Sequence, residues 1–361
     1  MAPPATFAES MALQEVMISS PPDIKNNIND AAPTGSRRVF KSTGPAFVPI
    51  SGVYGGHLLG QSAYAAYKTV DKSFYCHSIT GHFLVGGKPK TPFVYTVETL
   101  RQGKTYCTRS VQVRQPTSQN NSLLDSEVIF VATVSFKTVE PRGLESQLPP
   151  PEGLERWVSN PRGREIAPAV DVPSWIEFTK VKGMRPFYTA VDLRKVDVEE
   201  ENRSRPLHEH RKVQIYKPVG PFPPEEQSCL SICTHIYASD RNGMFAVTAP
   251  HNASDNIIHT GSLSHTLIFH ANPEKLLFPD TAVGEEGYFN PSSWTVLEQL
   301  GDSASEGRGL IRSRIWSADG VLLASVMQDA LIRVRVDNGE KAAGKDNKRK
   351  PTFSESLKSM L

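Results

Sequence analysis

The sequence holds no Gly-x-Ser-x-Gly elbow and no Cys-x-x-Cys pair. The first absence argues against a serine hydrolase built on a strained nucleophile turn. The second, with only Cys76, Cys107, Cys229 and Cys233 present, argues against a zinc site or a dithiol redox centre. No apolar run approaches the roughly 20 residues that a membrane-spanning helix needs. Neither sign of charge dominates: 40 Lys and Arg face 38 Asp and Glu, a net charge of +2, without the basic stripe of a nucleic-acid binder. The first ten residues, M-A-P-P-A-T-F-A-E-S, carry no basic or apolar leader region, so no secretory signal is expected. Reduced, buried cysteines in a reducing compartment fit this picture. Cofactor and metal are expected to be none.

What is present is a chain of 361 residues, 39% of them hydrophobic, enough to bury two cores of ordinary size. It repeats itself weakly. V-Y-T-V-E-T-L at 94–100 is echoed by W-T-V-L-E-Q-L at 294–300. Each is followed by a long alternating strand, at 107–114 and 309–316, and then by a second one, F-V-A-T-V-S-F at 130–136 and L-L-A-S-V-M-Q at 322–328. Each copy is preceded by a helical segment. In 55–70, Leu59, Ala63, Ala66 and Val70 fall at three- and four-residue spacing; from Glu225 to Ser239, Cys229, Ile232, Cys233, Ile236 and Tyr237 share one face. One helix and several long antiparallel strands, twice over, predict an α+β fold of two units, each a sheet wrapped around a central helix. The expected organisation is a tail and lead-in at 1–37, a first unit at 38–140, a Pro-rich joint at 141–173, a second unit at 174–336 and a flexible tail at 337–361.

Three polar signatures interrupt apolar context in the second copy: I-Y-A-S-D-R-N at 236–242, T-G-S-L-S-H-T-L-I-F-H at 260–270 and S-V-M-Q-D-A-L-I-R-V-R at 325–335. Asp240 closes a helix-like run, Ser262 opens a strand-like one and Gln328 sits within another. A carboxylate, a hydroxyl and a carboxamide at such edges suit the holding of one buried water, the equipment of a hydrolase without a Ser-His pair or a metal. The first copy has Phe136 where the second has Gln328.

In their order and spacing, V-Y-G-G-H (53–57), H-S-I-T-G-H-F-L-V-G-G (77–87), V-E-T-L-R-Q-G-K-T-Y-C-T-R (97–109), Y-A-S-D (237–240), S-L-S-H-T-L-I-F-H (262–270), S-A-S-E-G-R-G-L-I-R (303–312) and D-G-V-L-L-A-S-V-M-Q-D-A-L-I-R (319–333) carry a family pattern. Over about 38–336 the chain resembles the type II acyl-CoA thioesterases, the double-hotdog family that includes peroxisomal enzymes. The resemblance implies a double hotdog, an acyl-CoA substrate and a hydrolytic water held by Asp240, Ser262 and Gln328. It departs from the family at His57, where Gln is usual, and at Ser264, where Asp is usual. Those departures keep open another hotdog enzyme on a coenzyme A thioester, an acyl transferase or hydratase, beside hydrolysis; a non-catalytic acyl-CoA-binding protein is the third reading.

Backbone N–H groups at Gly55 and Gly56 are candidate oxyanion donors. His57 either points into the thioester site or only starts the helix. Arg308, between glycines, is the candidate for the coenzyme A phosphates, with Arg312 and Arg109 behind it. A homo-oligomer is expected. The ending Ser359-Met360-Leu361 partly matches a peroxisomal address, Ser-Lys-Leu, so an import receptor is an expected partner and the peroxisome, otherwise the cytoplasm, the expected location.

Overall fold

The computed structural model describes residues 5–17, 33–49, 52–116, 126–141, 143–183, 190–279, 290–335 and 351–359. Met360 and Leu361, residues 117–125 of the expected first unit, and residues 337–350 of the expected tail lie outside the described residues. The first half of the chain runs α1 (Phe7–Met11), β1 (Leu13–Val16), β2 (Arg37–Ser42), α2 (Gly55–Tyr67), β3 (Phe74–Phe83), β4 (Val94–Gln102), β5 (Tyr106–Arg114) and β6 (Val128–Thr138). Two helices, α3 (Leu154–Val158) and α4 (Pro173–Val181), follow. The second half runs β7 (Val191–Val196), α5 (Glu199–Asn202), β8 (Arg211–Pro218), α6 (Gln227–Ser239), α7 (Phe245–Thr248), β9 (Ile257–Phe269), β10 (Thr295–Ser305), β11 (Arg308–Ser317) and β12 (Leu322–Val334), then α8 (Phe353–Lys358).

The described strands form one antiparallel sheet in the order β1-β2-β4-β5-β6-β3-β9-β12-β11-β10-β8-β7. The second six positions mirror the first six, and the halves join where β3 pairs β9, from Ser78 opposite Ile268 to His82 opposite Ser264. The pairing also fixes the repeat. Glu98 lies opposite Ser110 and Glu298 opposite Arg314, which makes Cys107 the twin of Ile311. Cys107 faces Phe136 as Ile311 faces Gln328, so Phe136 holds the place of Gln328.

The spacing predicts that α2 and α6 each bury one stripe, but both are buried almost all round. The reason is that each helix has one half of the sheet on one side and the other helix on the other. They cross closely: a Cβ on Gly60 would stand 3.3 Å from the Cys233 carbonyl oxygen. They run antiparallel. Tyr64 and Lys68, at the end of α2, bond Glu226 at the start of α6, and at the other end Tyr54 Oη donates to the Tyr237 carbonyl at 2.6 Å. The C-terminus of α6 therefore meets the N-terminus of α2.

The expected tails are partly core. Phe7 and Met11 of α1 are buried among the central helices, because Phe7 packs its ring edge-on to Tyr237 at 5.6 Å. In the Pro-rich joint, Trp157 is fully buried against β8 and β10, and Asp171 is nearly buried in ion pairs with Lys195 and Lys212. In the expected C-terminal tail, residues 353–358 form α8, which docks on α4 with Leu357 buried. Thr352 and Glu355 close a capping box at its start, and Arg335 at the end of β12 bonds Glu355 at 2.7 Å.

Candidate active site

Asp240 caps the C-terminus of α6, within reach of the α2 N-terminus, where Gly56 offers its backbone N–H to the carboxylate. The paired glycines make the space. A Cβ on Gly55 would stand 2.8 Å from Asp240 Oδ2, and one on Gly56 would stand 2.3 Å from the Tyr237 carbonyl oxygen and 2.5 Å from Tyr54 Oη. Both glycines are there for close approach. The positive end of α2 adds its dipole to the carboxylate's surroundings.

Ser262 and Gln328 reach the carboxylate from the sheet. Gln328 is buried on β12, opposite His265 of β9. Plain alternation from His265 would turn Leu263 inward and Ser262 outward. The pairing instead slips between Asp329 and Ala330: Asp329 faces Ser264, Ala330 faces Ser262 and Leu263 is left unpaired. This β-bulge turns Ser262 to the inner face beside His265.

The three side chains close a ring of hydrogen bonds. Gln328 Nε2 donates to Asp240 Oδ1 at 2.6 Å and to Ser262 Oγ at 2.8 Å, and Ser262 Oγ donates to Asp240 Oδ1 at 3.1 Å. Burial raises the Asp240 carboxyl to about 6; the bonds from Ser262, Gly56 and Gln328 and the charge of Arg241 oppose it. A carboxylate near 6 remains ionised at neutral pH and is basic enough to take a proton.

His265 stands behind the ring. Its Nε2 lies 2.9 Å from Ser239 Oγ, whose own proton goes to the Ile236 carbonyl, so the histidine donates from Nε2. Nδ1 then offers a lone pair, 3.9 Å from Asp240 Oδ1, with no hydrogen-bond partner among the described residues. Burial holds this imidazole down at about 3, so it is neutral.

A cavity of about 550 Å³ opens on the ring. Tyr54, Gly55, Asp240, Arg241 and Ser262 line its polar part, and Leu58, Phe83, Val85, Val172, Phe245 and Leu331 belong to its apolar part. This volume and lining suit one flexible apolar chain beside a few fixed polar groups.

The other sequence candidates fall elsewhere. His57 is buried between the helices, facing Phe93 and Tyr237, and does not line the cavity. Neither ring nitrogen has a partner of hydrogen-bond geometry among the described residues; burial holds the ring at about 4, and the Gln61 side chain one turn on opposes this without reversing it. Arg308 is exposed, ion-paired with Asp329 at 3.1 Å, and outside the described lining. Arg312 is held by both oxygens of Asp302. Arg109 is buried, bonding Thr69, Gln102 and the Arg101 carbonyl, so it staples β5 to the end of α2.

One neighbour escapes sequence reasoning. Arg241 is buried beside Asp240, its guanidinium 4.6 Å from the Phe47 ring centre and 5.7 Å from that of Tyr54, and it donates to the Pro168 carbonyl. Its place directly after Asp240 is the only signal the sequence offers.

Residues 45–137 match the family described as acyl-CoA thioesterase N-terminal domain, and residues 163–332 the one described as acyl-CoA thioesterase C-terminal domain. The chain is 25% identical to acyl-coenzyme A thioesterase 8 of Homo sapiens over 308 residues, 80% of this chain and 83% of that protein. It is 22% identical to peroxisomal acyl-coenzyme A thioester hydrolase 1 of Saccharomyces cerevisiae, over 88% of this chain and 92% of that one. Its fold is similar to that of the acyl-CoA thioesterase II TesB2 of Mycobacterium marinum, with a TM-score of 0.61 and 23% identity over 92% of this chain and all of that one.

Proposed function

The chain belongs to the acyl-CoA thioesterase family, and from that premise we propose that Asp240, Ser262 and Gln328 hold and activate the water that hydrolyses an acyl-CoA to a free acid and coenzyme A. The observation that carries the reading is the closed ring of hydrogen bonds among these three buried side chains, set beside an apolar cavity. Asp240, ionised, takes a proton from the water as it attacks the thioester carbonyl carbon. The carbonyl π pair moves to oxygen, returns as the carbon–sulfur bond breaks, and the departing thiolate takes the proton back. Gln328 and Ser262 orient the carboxylate and the water. Gly56 spends its N–H on Asp240 and His57 its own on the Tyr54 carbonyl, so we assign the oxyanion to the N–H of Gly55. Arg308 keeps at most an outer contact with the coenzyme A phosphates.

The work is divided unequally between the units we delimit as 38–140 and 174–336. The second supplies the trio; the first supplies the α2 N-terminus and, with Phe136 in place of an amide, no second ring. Thiol release from straight-chain acyl-CoAs, wild type beside Asp240→Asn, tests the reading. Release that needs Asp240 supports it. Binding without release by wild type makes the chain an acyl-CoA-binding protein. Preferential transfer to an added nucleophile makes it a transferase.

Two finer points belong to the same proposal. The yeast relative's name supports a peroxisomal location. Microscopy of an N-terminally tagged protein with and without Ser359–Leu361 checks it, and a diffuse signal in both overturns it. Exposed Ile268 and Met327 on neighbouring central strands support a homo-oligomer, checked by light scattering.

A further inference from the structure

The ring and the far wall of the cavity are joined by the same two strands. Along β12, Leu331 lines the cavity three residues beyond Gln328, and Arg335 at the strand's end bonds Glu355 of α8. Along β9, Ile257 lines the cavity five residues before Ser262 and belongs to the apolar cluster that holds Leu357 of α8. At about 3.3 Å per residue, the cavity leads some 10–17 Å away from the trio toward α8.

That helix contributes a side chain of its own. Phe353 is half-buried, lines the cavity with Val172, Phe245 and Ile257, and packs on Trp175 with ring centres 6.2 Å apart. Trp175 in turn stacks on Phe178 of α4 at 5.7 Å. The wall therefore has two layers, cavity-facing and backing, and the helix sits in both, through Phe353 and Leu357. This apolar cluster and the pair of Arg335 with Glu355 help attach the helix to the rest of the described structure.

We infer that Phe353 is a specificity-determining residue: its ring stops the acyl chain at the end of the cavity and so sets the chain length that this enzyme prefers. The inference rests on the proposed acyl-CoA reading of the site. A shorter side chain there lengthens the cavity. A longer one shortens it. Because each extra methylene in a fitted apolar pocket changes selectivity by about tenfold or more, one ring is enough to move an optimum.

The test uses the full chain, as wild type, Phe353→Ala, Phe353→Trp and Leu357→Ala. kcat/KM is measured for saturated acyl-CoAs from butyryl to stearoyl, and affinity for the corresponding non-hydrolysable thioethers is measured by calorimetry. The expected result is an optimum moved to longer chains in Phe353→Ala, with the long-to-short ratio rising about tenfold. Phe353→Trp moves it to shorter chains. Leu357→Ala, which loosens the helix without touching the cavity, moves it in the same direction as Phe353→Ala. Profiles that superimpose on wild type in all three variants, each folded by its melting curve, overturn the inference. Absence of hydrolysis by wild type overturns the function reading instead, and the thioether affinities then still decide the role of Phe353.

Discussion

Gln328 Nε2 lies 2.6 Å from Asp240 Oδ1, a bond that ties β12 to the end of α6 across 88 residues of chain. The same amide also reaches Ser262, so one side chain fixes the other two. Gln328→Ala should therefore lower kcat by about 10²–10³-fold, the cost of removing a preorganised donor. It also removes one of the bonds that hold the Asp240 carboxyl down, so the acid limb of the pH–rate profile should move upward. Steady-state kinetics between pH 5 and pH 8 give both numbers. A kcat within about threefold of wild type would remove Gln328 from the chemistry.

Ionisation of Asp240 should be visible in rate and in stability. Its carboxyl is raised from the ordinary 3.8 to about 6, so kcat/KM should fall as pH drops through about 6. The folded state holds this proton more tightly than the unfolded chain does. Between about pH 4 and 6, ionising Asp240 therefore costs stability as pH rises, by up to about 1.4 kcal/mol per pH unit. Below that window the cost is absent; above it, it is complete. Asp240→Asn has no such proton to lose, so denaturant melts at pH 4 and pH 7 should show the variant gaining on wild type at the higher pH while losing hydrolysis. A difference in stability that is flat across the window would contradict the raised pKa.

The two glycines at the start of α2 should fail differently. Alanine at position 55 puts a methyl 2.8 Å from Asp240 Oδ2 and 3.0 Å from the Phe83 ring. It shifts the carboxylate, and kcat should drop by about tenfold to a hundredfold with little change in melting. Alanine at position 56 meets the Tyr237 carbonyl oxygen at 2.3 Å and Tyr54 at 2.5 Å, groups already bonded to each other. That clash has nowhere to go and should cost about 1–3 kcal/mol of stability. Thermal melts beside kinetics separate the pair.

Particular residues mark how far the sequence could be read. The central helices and the repeat follow from spacing, and the register bears out the pairing of Phe136 with Gln328. Asp240, Ser262 and Gln328 all stand out as polar groups set into apolar runs. How Ser262 comes to face inward is not legible, because strict alternation points it outward and only the unpaired Leu263 turns it in. Helical periodicity could not show that α2 and α6 bury every face, since that depends on a partner helix far off in sequence. The helix at 353–358 carries a capping box, but the charged stretch before it masks an apolar pair, Phe353 and Leu357, that matters only once Trp175 is beside it. Flanking glycines make Arg308 a candidate phosphate ligand, but they do not show its partner, Asp329, a cross-strand neighbour.

Arg241 offers the last test, because it links the cavity wall to the carboxylate. Its guanidinium is buried over Phe47 and Tyr54, and its positive charge lowers the Asp240 carboxyl against the rise caused by burial. Removing that charge leaves burial less opposed. Arg241→Ala should therefore shift the acid limb of kcat/KM to higher pH than in wild type, so that activity at pH 6 falls more than activity at pH 8. Arg241→Lys keeps a charge but not the planar group that lies over the rings, and should shift the limb less. Lost packing alone would lower stability and scale the rate equally at every pH, leaving the limb in place. A pH profile of Arg241→Ala parallel to that of wild type would mean that the arginine serves only the wall.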